Sequence, residues 1–198
     1  MKLAVATKSN FFIEEDKIIT RLFEEGLDYL LLRKSHPHPQ YIERLLNLIP
    51  SKYHKKIFVC NYPRFSQEYK FAGRMINIDE EASCMCISPI KGKTVSNSNN
   101  LQQINELKEK YDIVYFGPLG RTFYQSTELN EYGKKVINKK VWAYGELDEK
   151  NLKKLSQYKF GGVILDKILW DKFDACRSTD YDELINYFHK LQKIINKI

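Results

Sequence analysis

The chain has 198 residues, 43% hydrophobic and 29% charged, a balance that suits one globular domain over residues 1–198 and excludes wholesale disorder. Lysine plus arginine outnumber aspartate plus glutamate by 32 to 25, for a net charge of +7, so anionic ligands are expected. The cations lie in mixed stretches such as "KYHKK" and "DEKNLKK" rather than in one basic tract, which argues against nucleic acid, and no apolar run approaches the roughly 18 residues of a membrane span.

The first stretch, "MKLAVATKSN", holds four consecutive apolar residues. That is short of the roughly 7 to 15 a signal peptide needs, so a cytoplasmic protein is expected. In that compartment the four cysteines should be reduced thiols. Cys84 and Cys86 form C-x-C while Cys60 and Cys176 stand alone, which matches no standard zinc spacing.

Taken in chain order, "KLAVAT" reads as a first strand and is followed by a helix carrying Ile18, Ile19, Leu22 and Phe23, closed by Gly26. "DYLLLR" is the second strand. Ile42, Leu45, Leu46 and Ile49 then give the i, i+3, i+4, i+7 stripe of a helix buried on one face. "KIFVC", a short segment around "YPRFSQEY", "RMINI" and "SCMCIS" lead to a polar loop, "GKTVSNSNN". A helix from about Leu101 to Lys110 precedes "YDIVYFGPL", a polar turn and a helix near "ELNEYGKKVIN". "KVWAYG" is next, then a helix with Asp148 as N-cap and Leu152 and Leu155 inside, then "GGVILD". The last helix opens with Asp180 and Glu183 in a D-x-x-E pattern, and Leu184, Ile185, Phe188, Leu191 and Ile195 form its apolar stripe.

Eight strand candidates alternate with helices. Their apolar runs are continuous rather than alternating, the mark of parallel strands buried on both faces. The expected fold is α/β, a small single-domain (β/α)8 TIM barrel, with an open doubly wound sheet as the rival. In both, ligands sit at the carboxyl ends of the strands.

The residues there are Arg33 and Lys34 after strand two, Asn61 after strand three, Asp79 and Glu80 after strand four, Gly117 and Thr122 after strand six, Gly145 after strand seven and Lys167 after strand eight. Cations, carboxylates and glycines together suit a phosphorylated ligand, because glycine lets backbone N–H groups approach phosphate oxygens. Each has a plainer alternative. Arg33 could be an ion pair across the barrel top, Lys34 and Lys167 solvated, Gly145 a strand end, and Asp79 with Glu80 an acidic turn rather than a magnesium site. His36 and His38 flank Pro37 near the mouth, and Tyr115, Phe116, Phe123, Tyr124, Trp142 and Tyr144 could stack on a planar ring or pack the core.

The stretch "YDIVYFGPLGRT" is similar to the D-Y-x-x-x-G-P-x-x-x-T of the thiamine-phosphate synthase family and its thiazole tautomerase relatives. "KVWAYGELDEKN" resembles that family's V-x-A-x-G-G-I-x-x-x-N, and "LLLRK" its Q-L-R-x-K. The resemblance spans nearly the whole chain. It implies a barrel that couples a hydroxymethylpyrimidine pyrophosphate to a thiazole phosphate, with magnesium, and releases pyrophosphate. It further implies that Arg33 contacts pyrophosphate, Asn61 the pyrimidine or pyrophosphate, Thr122 the thiazole side and Gly145 a phosphate through its backbone. Lys34 stands one residue before the family's lysine, and Glu80 with Asp79 near its second metal position.

The chain also departs from the pattern. Tyr62 and Pro63 follow Asn61 where the family carries its magnesium aspartate and an arginine, Glu146 replaces the second glycine, and Lys167 stands where a serine is expected. The alternative reading is a non-catalytic binder of thiazole phosphate or another small phosphorylated ligand. The expected partners are small phosphorylated substrates, without nucleic acid or membrane, and a homodimer is left open.

Overall fold

The run Lys2–Ala6 pairs on one side with Tyr29–Leu32 and on the other with Gly162–Leu165, so the last strand closes onto the first. The computed structural model describes residues 1–35, 38–60, 69–76, 93–120, 132–174 and 180–198. Its strands are β1 (Lys2–Ala6), β2 (Tyr29–Leu32), β3 (Ile57–Cys60), β4 (Gly73–Ile76), β5 (Lys93–Ser98), β6 (Ile113–Leu119), β7 (Val141–Gly145) and β8 (Gly162–Leu165). They follow one another in sequence order around a closed barrel, every pairing parallel. This is the expected (β/α)8 barrel, and the open sheet is excluded.

Alternate residues of each strand point to opposite faces, and two main sets of buried side chains result, beside a small third one of Ile76, Leu107, Tyr111 and Val114. One draws Ala4, Ala6, Leu31, Phe58, Cys60, Met75, Val95, Ile113, Tyr115, Trp142 and Ile164 from all eight strands. It is the barrel interior, filled in layers. The other set joins Leu3, Val5, Leu30, Leu32, Val59, Val141, Ala143, Val163 and Leu165 to the apolar stripes of the helices. Strands buried on both faces explain the uninterrupted apolar runs of the sequence.

The helices are α1 (Glu15–Glu24), α2 (Pro39–Leu48), α3 (Ile104–Lys110), α4 (Lys134–Val136), α5 (Glu149–Leu155), α6 (Lys167–Trp170) and α7 (Asp182–Ile195). Ile18, Ile19, Leu22 and Phe23 are buried on α1 and Leu184, Ile185, Phe188, Leu191 and Ile195 on α7, as their spacing predicts. Gly26 has the positive φ of 95° expected after α1. Asp148 caps α5 by accepting from the Asn151 N–H at 2.7 Å. At α7 the expected N-cap, Asp180, gives way to Tyr181, a shift of one residue. Asp180 accepts from the Asp182 N–H at 2.9 Å, and the helix begins there.

The fifth strand is the main correction. "SCMCIS" lies outside the described residues, and the strand between β4 and β6 is instead Lys93–Ser98, part of the expected polar loop. Its sequence hides the strand because Val95 is its only large apolar residue, while Ser96 and Ser98 are small enough to be buried between neighbours. The segment around "YPRFSQEY" is described only from Tyr69 onward, and the helix expected near "ELNEYGKKVIN" only in its last part, where it is the short α4.

Candidate active site at the C-terminal rim

The alternation that fills the barrel also decides which side chains reach its mouth. Ala6, Leu31, Trp142 and Ile164 face the interior, so the residues two positions further on, Lys8, Arg33, Tyr144 and Asp166, continue the inward rows past the strand ends. Thr7 locks this geometry. Its hydroxyl donates to the Arg33 carbonyl at 2.8 Å and accepts from the Arg33 N–H at 3.1 Å, joining the ends of β1 and β2. Trp170 on α6 adds a second tie, its indole N–H donating to the Ala6 carbonyl at 2.7 Å.

At the rim the Arg33 Nη2 donates to the Asp166 carboxylate at 2.8 Å and lies 3.5 Å from the Tyr144 hydroxyl. Tyr144 donates to the same Asp166 oxygen at 2.9 Å. The guanidinium sits 5.8 Å from the Tyr144 ring centre, and Tyr115 meets that ring edge-on at 5.7 Å. Burial pushes the Tyr115 hydroxyl up to about 12, so it is a neutral donor at physiological pH. Arg33 keeps 39% of its side chain exposed. It therefore both forms an ion pair across the barrel top and faces solvent.

Beside it opens a cavity of about 300 Å³ lined by Lys8, Ser9, Asn10, Arg33, Asp166, Lys167, Trp170 and Asp171. Three cations stand there against two carboxylates, one of which, Asp166, is paired with Arg33. Lys167 is exposed there. Larger cavities occur elsewhere, one of about 480 Å³ between Phe11 and Leu48, but that one is not lined by Arg33 or Lys167.

Lys34 does not join Arg33. As the next residue it points outward, where Glu15 at the start of α1 accepts from its ammonium at 2.5 Å and the Asn10 carbonyl accepts at 3.0 Å. The Lys34 and Glu15 side chains are 0% and 2% exposed. In this structure the Lys34 ammonium is engaged inside the protein, away from the cavity beside Arg33.

Gly117 and Gly145 serve close packing. A Cβ on Gly145 would stand 2.2 Å from the Leu119 nitrogen, and one on Gly117 would stand 2.1 Å from the Tyr144 carbonyl oxygen. The backbone N–H groups after Gly145 are already engaged. That of Glu146 donates to the Leu119 carbonyl and that of Leu147 to the Gly145 carbonyl, both at 2.9 Å. Asn61, Asp79, Glu80 and Thr122 lie outside the described residues, as do His36, Phe123 and Tyr124. Among the described residues no group of three or more histidine, cysteine, aspartate or glutamate side chains is placed to hold a metal ion. Among the described residues Asp166 is the carboxylate bonded to Arg33, and it is compensated by that cation.

No family model and no curated protein matches the chain. Among solved structures, thiamine phosphate pyrophosphorylase from Bacteroides thetaiotaomicron is 38% identical, with 99% of this chain and 98% of that chain covered and a TM-score of 0.89. The chain belongs to the thiamine phosphate pyrophosphorylase (thiamine-phosphate synthase) family.

A family member from Pyrococcus furiosus, 13% identical over 99% of this chain and 96% of its own, has a TM-score of 0.75. The tryptophan synthase α subunit of Legionella pneumophila, 13% identical over 100% and 93%, has one of 0.66. At such identities these two share the fold. In this barrel Arg33 stands at the rim, and Gly117 and Gly145 stand where the ends of β6 and β7 meet. Sequence reasoning missed Asp166, although "ILDK" carries its signal, a carboxylate at the end of an apolar strand. It also missed Lys8, which lies two residues beyond β1.

Proposed function

We propose that this chain couples a hydroxymethylpyrimidine pyrophosphate to a thiazole phosphate and releases pyrophosphate, as a thiamine-phosphate-synthase-type transferase. One observation carries the reading: Arg33, Lys8 and Lys167 converge on one cavity at the carboxyl rim, in a barrel 38% identical to a thiamine phosphate pyrophosphorylase. In the reaction the bond between the pyrimidine methylene carbon and the pyrophosphate oxygen breaks, and the pyrophosphate keeps the electron pair. The thiazole nitrogen then supplies its lone pair to the resulting cation. Little proton transfer is needed, so the protein's work is to position two rings and stabilise charge on the leaving group.

Arg33 is the residue for that charge, since its guanidinium presents paired donors to a phosphate. Lys167 and Lys8 add point charges from the same rim. The aromatic pair Tyr115 and Tyr144 offers a wall for a planar ring. Asn61 on the pyrimidine side, Thr122 on the thiazole side, the Gly117 and Gly145 turns, and magnesium held through Asp79 and Glu80 belong to this proposal. Lys34 enters it as an anchor for the segment that carries Arg33.

A specific observation favours a second reading. Tyr62 and Pro63 stand where the family carries a magnesium aspartate and an arginine, which suits a binder of a small phosphorylated ligand without turnover. Incubation with both phosphorylated precursors and magnesium separates the two. Thiamine phosphate formed in step with pyrophosphate supports the transferase, and saturable binding of thiazole phosphate without product supports the binder.

A further inference from the structure

Asp166 holds a position that the function proposed above does not use. Its Oδ2 lies 2.8 Å from the Arg33 Nη2, the separation at which a ligand oxyanion would bind a guanidinium. The Tyr144 hydroxyl steadies that oxygen from the other side at 2.9 Å. Asp166 and Arg33 reach one another from β8 and β2, the two neighbours of β1. Both line the cavity that also receives Lys8 and Lys167.

We propose that Asp166 is a built-in anion that competes with ligand for Arg33 and so sets how tightly the rim holds pyrophosphate. The choice of pyrophosphate rests on the transferase reading, whereas the competition rests on geometry. A ligand oxygen that takes Nη2 must displace a carboxylate tethered to the same barrel, which returns at high effective concentration. One that takes the other edge of the guanidinium lies beside a like charge. Both routes lower affinity. Loss of Asp166 also frees the arginine side chain, an opposing effect, while Thr7 still fixes the Arg33 backbone at the rim.

Such a residue suits a site that must stabilise a leaving group and then release it. As pyrophosphate departs, the Arg33–Asp166 pair re-forms and the cation is never left uncompensated. Asp166 thus tunes affinity for the anion, acting through Arg33.

The test is calorimetric titration of the full chain with sodium pyrophosphate at fixed ionic strength, comparing wild type with Asp166→Asn and Asp166→Ser. Because Arg33 is partly exposed, removal of the carboxylate is expected to lower the pyrophosphate Kd roughly three- to tenfold, in whichever variants keep the wild-type unfolding transition. An unchanged or raised Kd in a folded variant, or no pyrophosphate binding by any of the three proteins, overturns the proposal. Product formation from the two precursors is read separately. Tighter binding without product leaves the competition standing and removes the transferase reading, and product with unchanged Kd does the reverse.

Discussion

The Glu15 carboxylate lies 2.5 Å from the Lys34 ammonium, and neither side chain reaches solvent. Together they bolt the start of α1 to the end of β2, one residue from Arg33. A buried pair of this kind is sensitive to loss of one partner, because the other must either keep an uncompensated charge or neutralise and stay buried without its hydrogen bond. Lys34→Met is expected to lower unfolding stability by about 3 kcal/mol, measured by urea denaturation. The double variant Glu15→Leu with Lys34→Met should recover most of that loss and retain ligand affinity. Recovered stability with lost affinity would return Lys34 to the ligand site.

The same pair makes stability depend on pH. Burial pushes the Glu15 carboxyl up to about 7, against the opposing pull of Lys34. The folded state therefore binds this proton more tightly than the unfolded chain does. Its contribution is fully present below about pH 4.5 and is lost as pH rises through about 7. That amounts to about 3 kcal/mol at most across the interval. Denaturation at pH 4.5 and at 7.5 should show this decline in wild type and lose it in Glu15→Gln, whereas equal slopes in the two proteins would contradict it.

The junction of β6 and β7 offers a backbone test. Gly145 has a φ of 138°, and a Cβ there would collide with the Leu119 backbone. Gly145→Ala should cost about 2 to 4 kcal/mol. At Gly120 no atom of the described residues lies within 4 Å of the added methyl, so Gly120→Ala is the matched control and should change stability by about 0.5 kcal/mol or less. Equal effects in the two variants would remove close packing as the reason for a glycine at 145.

The barrel was legible because its strands are buried on both faces and its helices carry clean apolar stripes. β5 was not, since a strand built on Val95 with serines turned into tight space has no apolar run to read. Arg33 was legible as a charge that ends such a run. Lys34 parts from Arg33 because neighbouring residues on an extended chain face opposite ways, and its partner Glu15 lies 19 residues back at a helix start. Asp166 and Lys8 were missed for a related reason. "ILDK" marks Asp166 as a carboxylate ending an apolar strand, but that it and Lys8 share the mouth with Arg33 follows only once β8 closes beside β1.

The central claim is that the cation-lined rim around Arg33 holds the leaving pyrophosphate while thiamine phosphate forms. Its most direct measurement is the rate of thiamine phosphate production from the two precursors and magnesium, for wild type and Arg33→Ala. Wild type is expected to form product and Arg33→Ala to lose at least about tenfold in rate, since a hydrogen-bonded charge contact of this kind contributes about 1.5 to 3 kcal/mol. Product formed equally fast by the two proteins, or by neither, would contradict the account.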